Sequence, residues 1–186
     1  MELSPTAYVI LGLVRTEPRS GYEIKAVVDN TTRFFWAASY GQIYPELKRL
    51  SEAGLVVGTE APTGGRRRTV YEITADGERE LIAWLRQPPV TFELREEGLL
   101  KLFFAGALPR EEVPAILRAM REHRLEANRR LRELEPGAAA KADPFALIVL
   151  RSGLEFTEWF AGWCERTEAQ LLEGLGERTE SGRGGR

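Results

Sequence analysis

Three consecutive arginines, Arg66, Arg67 and Arg68, follow directly on Gly64-Gly65 and form the densest positive cluster in the chain. Guanidinium groups at the end of a glycine-containing turn can reach a nucleic-acid phosphate or the adjacent minor groove. Upstream, Ser39, Tyr40, Gln42, Tyr44, Lys48 and Arg49 supply the other groups a duplex requires. An amide suits base edges, while phenol and ammonium groups suit phosphate and sugar. Each set has a plain alternative, a solvated helix face for the first group of polar residues and a charged turn for the arginines. Helix, glycine, strand, arginine-rich turn and strand in that order are more specific than either piece, and favour contact with double-stranded DNA.

Other reactive groups are sparse. His123 and Cys164 are the only residues of their types, so no intramolecular disulfide can form, and a four-ligand structural zinc set is out of reach. No glycine-rich phosphate loop, metal-ligand spacing or nucleophile–base pair is evident, which argues against an enzyme and for no cofactor. A set of large apolar residues is the remaining candidate: Phe103, Phe104, Leu117, Met120, Leu131, Phe156, Trp159, Phe160 and Trp163. Aromatic side chains at helical spacing are more often core or interface than ligand site, so a dimer interface takes precedence over an effector pocket here.

The elements that position these residues follow from caps and apolar periodicity. Ser4-Pro5 opens a first helix to Arg15, and Ser20-Gly21-Tyr22-Glu23 is a capping box for a second over about Gly21–Asn30. Ser39-Tyr40-Gly41-Gln42 repeats that signature before Ile43, Leu47 and Leu50, and Gly54 is the stop signal of the third helix. Pro45 is out of place inside this third helix, predicting either a kink or a regular start only at Tyr44. Leu55–Glu60 and Arg68–Ile73 are predicted strands around a turn over 61–67, a two-stranded wing, and Thr74 caps a fourth helix to about Arg86. Pro88-Pro89 then ends a winged helix-turn-helix at about residue 87.

Beyond the prolines the pattern is all helical, with expected helices at Leu94–Ala105, Arg110–Glu135 and Phe145–Leu175 and a break at Pro136-Gly137-Ala138-Ala139-Ala140. Val113, Leu117, Met120, Ala127, Leu131 and Leu134 make a heptad-like seam interrupted at Arg124. Such long amphipathic helices predict a partner subunit to cover them. The chain is therefore expected to be mainly α: a DNA-binding domain at 1–87, an all-α dimerisation domain at 90–176, and a disordered tail at 177–186.

Composition sets limits on this scheme. The chain of 186 residues is 43% hydrophobic and 29% charged, without an uncharged apolar run near the roughly 18–20 residues of a bilayer span. The N-terminus lacks a secretory pattern, so a cytoplasmic location is expected. Residues 1–87 hold 11 basic and 11 acidic side chains. A neutral domain has no general positive field, so phosphate binding must rest on a local clamp of Arg66, Arg67 and Arg68 with Lys48 and Arg49.

Ile10-Leu11-Gly12-Leu13, Ser20-Gly21-Tyr22-Glu23-Ile24, Gln42 to Leu50 with its internal Tyr44-Pro45, Gly54-Leu55-Val56, and Arg66 to Thr74 together resemble the PadR family of transcriptional regulators in order and spacing. The segment from Glu96 to Phe104 and the helices after it resemble the C-terminal region of the virulence-activator-like branch. Coverage runs from about Leu3 to Leu175, and one departure is Ser20 where the family usually has histidine. The resemblance implies a homodimer that places one winged helix on each half of an inverted-repeat operator. It implies a repressor, with release by a small aromatic or hydrophobic effector in some relatives. An alternative of another class is a helical protein–protein adaptor that keeps the winged helix as a scaffold.

Overall fold

Ser4 Oγ accepts the Ala7 N–H at 3.1 Å, and Pro5 at the first helical position starts α1 (Pro5–Thr16). The computed structural model describes residues 3–32, 35–63, 66–90, 95–140 and 144–181. The chain divides into two compact units, Met1–Thr91 and Phe92–Arg186.

In the first unit α1 buries Ala7, Ile10, Leu11 and Val14, a stripe at helical spacing. α2 (Gly21–Asn30) begins at the predicted capping box: the Ser20 N–H donates to Glu23 Oε2 at 2.8 Å and the Glu23 N–H to Ser20 Oγ at 3.4 Å. α3 (Tyr40–Glu52) buries Ile43, Leu47 and Leu50 completely against that core. It begins at Tyr40 rather than Tyr44 and runs through Pro45. The proline forfeits one backbone bond and crowds the carbonyl four residues back, which here belongs to the solvent-exposed Gly41. Gly54, at φ 70°, ends α3 as expected, with the Gly54 N–H bonded to Ser51 O at 3.0 Å and the Leu55 N–H to Leu50 O at 2.9 Å.

The hairpin strands are longer than the sequence suggests. β2 (Val56–Thr63) and β3 (Arg66–Ile73) pair antiparallel from Val56–Ile73 to Thr63–Arg66, around Gly64 and Gly65, which lie outside the described residues. Pro62 is tolerated because β2 is an edge strand. The expected two-stranded sheet has a third member, β1 (Arg19–Ser20), paired with β3 opposite Tyr71 and Val70 in the order β1-β3-β2. Two residues are too few for strand periodicity to register, and Ser20 already reads as a helix cap. Thr74 then caps α4 (Ala75–Leu85), accepting the Gly77 N–H at 3.1 Å, and Tyr8 of α1 stacks on Trp84 with centroids 4.4 Å apart.

The second unit holds α5 (Glu97–Phe103), two short 3-10 turns at Ala105–Ala107 and Arg110–Glu112, α6 (Val113–Ala139) and α7 (Phe145–Ser181). The expected start of α5 at Leu94 lies outside the described residues. Helix α6 continues through Pro136, where a break was expected, because the proline removes only one bond near the end and the alanines that follow are strong helix formers. α7 likewise continues past Leu175, so residues 177–181 of the expected disordered tail are helical; 182–186 lie outside the described residues. No proline interrupts that stretch. α6 and α7 pack antiparallel, since Arg118 meets Glu168 at 2.7 Å, Asn128 meets Thr157 at 2.8 Å and Arg151 meets Glu135 at 3.1 Å.

Candidate nucleic-acid interface

The apolar positions of α3 decide what its other face presents. With Ile43, Leu47 and Leu50 turned into the core, Tyr40, Tyr44 and Lys48 recur at four-residue intervals along the exposed side. The rings of Tyr40 and Tyr44 lie nearly parallel, 6.2 Å apart and 20° inclined. Lys25 of α2 places its ammonium 5.5 Å from the Tyr40 ring centroid while also bonding Asp29. The Tyr44 ring rests on Gly21: a Cβ there would stand 2.7 Å from Tyr44 Cε1. Gly21 and Lys25 were not among the predicted site residues. Only a glycine at the first residue of a helix hints at such a close approach, and nothing in the sequence pairs it with Tyr44.

Ser39 and Gln42 occupy the start of α3 and are exposed. Gln42 Oε1 accepts both the Ser39 N–H at 2.9 Å and the Ser39 hydroxyl at 3.2 Å. Its carbonyl is thus committed to holding the helix terminus, and its amide hydrogens are the part left for a ligand. Such a donor suits guanine O6 or N7 or thymine O4, whereas bidentate adenine recognition needs the carbonyl as well.

The cations are less free than their number suggests. Lys48 lies 3.8 Å from Glu52, Arg49 bonds the buried Glu46 at 3.0 Å, and Arg68 reaches across to Glu23 of α2 at 2.8 Å. The expected clamp is therefore not a row of unpaired charges among the described side chains. The backbone of Arg66 and Arg67 belongs to β3, opposite Thr63 and Pro62, and their side chains lie outside the described residues. Glu23 sits at the centre of this corner. The Ser20 N–H holds its carboxyl below the usual carboxylate range, the Ser20 hydroxyl and Arg68 act in the same sense, and partial burial opposes them.

In the second unit the nine predicted apolar residues separate. Leu117, Met120, Leu131 and Phe160 are buried within the protomer, so the seam on α6 is covered by the same chain rather than left for a partner. Arg124, its interruption, pairs with Glu96 and lies over the Phe160 ring at 4.6 Å and the Phe156 ring at 5.5 Å. Phe103 is 82% exposed and Phe104 64%, the two rings meeting edge to face at 5.0 Å. Phe156, Trp159, Phe160 and Trp163 line an open cleft of about 260 Å³ with Leu99. Cys164 is fully buried beside this cluster, and burial pushes its thiol up, away from the thiolate form that a nucleophile needs. Among the described residues no cluster of His, Cys, Asp or Glu suits a metal ion, and no helix is long and apolar enough to cross a membrane.

Comparison with known proteins accounts for both units. The model of the transcriptional regulator PadR-like family matches residues 10–83, and that of the virulence activator alpha C-terminal region matches 94–172. The negative transcriptional regulator PadR of Bacillus subtilis is 29% identical over 174 residues, covering 88% of this chain and 96% of its own. The structure of that PadR in complex with operator DNA superposes with a TM-score of 0.83 at 28% identity, over 92% of this chain and 99% of the other. Its complex with p-coumaric acid gives 0.70 at 28% identity, over 91% and 98%. The first unit thus carries a PadR-like family domain at 10–83 and the second a virulence activator alpha C-terminal domain at 94–172, the arrangement of DNA-binding transcriptional regulators rather than of enzymes.

Proposed function

We propose that the chain is a cytoplasmic repressor that binds an inverted-repeat operator as a homodimer. Residues 1–87 serve as the DNA-binding domain and 90–176 as the dimerisation domain. The observation that carries this reading is the exposed row of Tyr40, Tyr44 and Lys48 on α3, with the Gln42 donors at its start and the β2–β3 wing beside it. Helix α3 enters the major groove while Arg66, Arg67 and Arg68 meet phosphate or minor groove. The operator-bound relative supports this arrangement. The relative bound to p-coumaric acid supports release by a small aromatic or hydrophobic effector, for which the cleft at Phe156, Trp159 and Trp163 is the candidate receptor.

The test is a titration of the protein against the DNA upstream of its own gene and against a random duplex of equal length. A specific complex at least a thousandfold tighter is expected at moderate salt, and replacing Arg66, Arg67 and Arg68 with Ala should abolish most of it. Equal affinity for both duplexes, unchanged in the triple variant, would leave the protein–protein adaptor as the better account.

A further inference from the structure

We propose that Glu23 is a specificity-determining residue, which pins Arg68 in one position so that it serves a correctly seated duplex rather than a loosely held one. The inference rests on the proposed DNA-binding role of the winged head. Arg68 Nη2 lies 2.8 Å from Glu23 Oε1, with the two side chains 42% and 36% exposed, so the pair is open to a competing or bridging anion. Glu23 does not depend on Arg68 for its position. Its other oxygen receives the Ser20 N–H at 2.8 Å and the Ser20 hydroxyl at 2.9 Å, and α2 itself holds its backbone. The carboxylate is thus a fixed post. Arg68, on the β3 side of the wing opposite Ala61, is the side chain held to it.

Two consequences follow for DNA. A cation already neutralised by a fixed carboxylate adds little to the diffuse attraction that governs non-specific binding, in which each engaged cation releases counterions. A pinned guanidinium that still presents its other nitrogens can meet a phosphate only where that phosphate is brought to the wing, which requires α3 to be seated. Non-specific complexes lack that fixed placement and lose the contact. The neutral balance of residues 1–87 makes one such charge matter, because no broad positive field masks it.

The sequence of the cap permits a clean test. Gln at this capping-box position performs the same hydrogen bonding as Glu, so Glu23→Gln removes the charge and spares the start of α2. The full-length protein and E23Q are titrated against operator and random duplexes over a range of salt. E23Q is expected to bind random DNA about fivefold more tightly, with a salt slope steeper by about one, while operator affinity stays level or falls. Arg68→Gln dissolves the same pair without touching the cap. It should weaken operator binding and, by leaving Glu23 an unpaired carboxylate, weaken random binding as well, while the double variant, with neither charge, should return random binding to near that of the parent with operator affinity still reduced. Unchanged slope and operator-to-random ratio in E23Q, or an equal gain on both duplexes, would overturn the proposal. Absence of any operator preference in the parent protein would instead remove the DNA-binding reading on which it stands.

Discussion

At the scale of single residues, the bonds a side chain has already made decide what it can still offer. Gln42 illustrates this: its position at the start of α3 is legible in the sequence, but its commitment to Ser39 emerges only from the folded cap. Gln42→Glu should retain the cap, since either residue closes a capping box, while exchanging two donors for a carboxylate beside the duplex. The expected outcome is an unchanged melting temperature with operator affinity reduced by at least about tenfold, on the scale of one lost base contact plus like-charge repulsion. Unaltered affinity would place Gln42 outside the DNA interface. Gly21 belongs to the same class. Its type was readable, but its contact with the Tyr44 ring was not, because the two lie on different helices.

At the scale of elements, periodicity and capping residues sufficed for most of the helices and both long strands. They failed where a feature was shorter than its own period or opposed by tertiary context. β1, with two residues, could not show alternation, Pro136 marked a break that α6 does not have, and of the two outcomes Pro45 allowed, a start only at Tyr44 is not the one α3 takes. The α6 seam was recognisable from its spacing, but a heptad pattern does not say which chain covers it, and here α5 and α7 of the same protomer cover Leu117, Met120 and Leu131. Its register is held by Asn128, which donates to Thr157 Oγ1 at 2.8 Å and Leu154 O at 3.3 Å and accepts from Arg132 at 2.9 Å. Asn128 is buried, so Asn128→Ala strips several partners at once. A loss of about 1–3 kcal/mol is expected in urea unfolding. A change below 0.5 kcal/mol would mean that apolar packing alone sets the alignment.

At the scale of the whole molecule, the apolar residues left outside either core are what an assembly would use. Phe103 and Trp159 remain exposed, and Trp159 borders an open cleft, whereas Leu117, Met120 and Leu131 are spent on the protomer's own fold. If the second unit dimerises, replacing Phe103 and Trp159 with Glu should give a folded monomer in sedimentation equilibrium. Operator affinity should then fall by about a hundredfold or more as two linked half-site contacts become one. A variant that stays dimeric would move the interface elsewhere. The sequence told these residues apart from solvated positions, but not from core, because both environments select large aromatic side chains.

The joint between α3 and the hairpin has a further consequence. Thr74 donates its N–H to Leu55 O at 3.1 Å and its hydroxyl to Gly54 O at 2.7 Å, while Gly77 passes so near Leu55 that a Cβ would lie 2.1 Å from the carbonyl oxygen. Helix, turn, strand and the start of α4 are thereby fastened at one point. A head so fastened adapts poorly to a groove of the wrong width, so the strain of a mismatch falls on the nucleic acid. Duplex bendability at base pairs that no side chain touches would then enter the choice of operator.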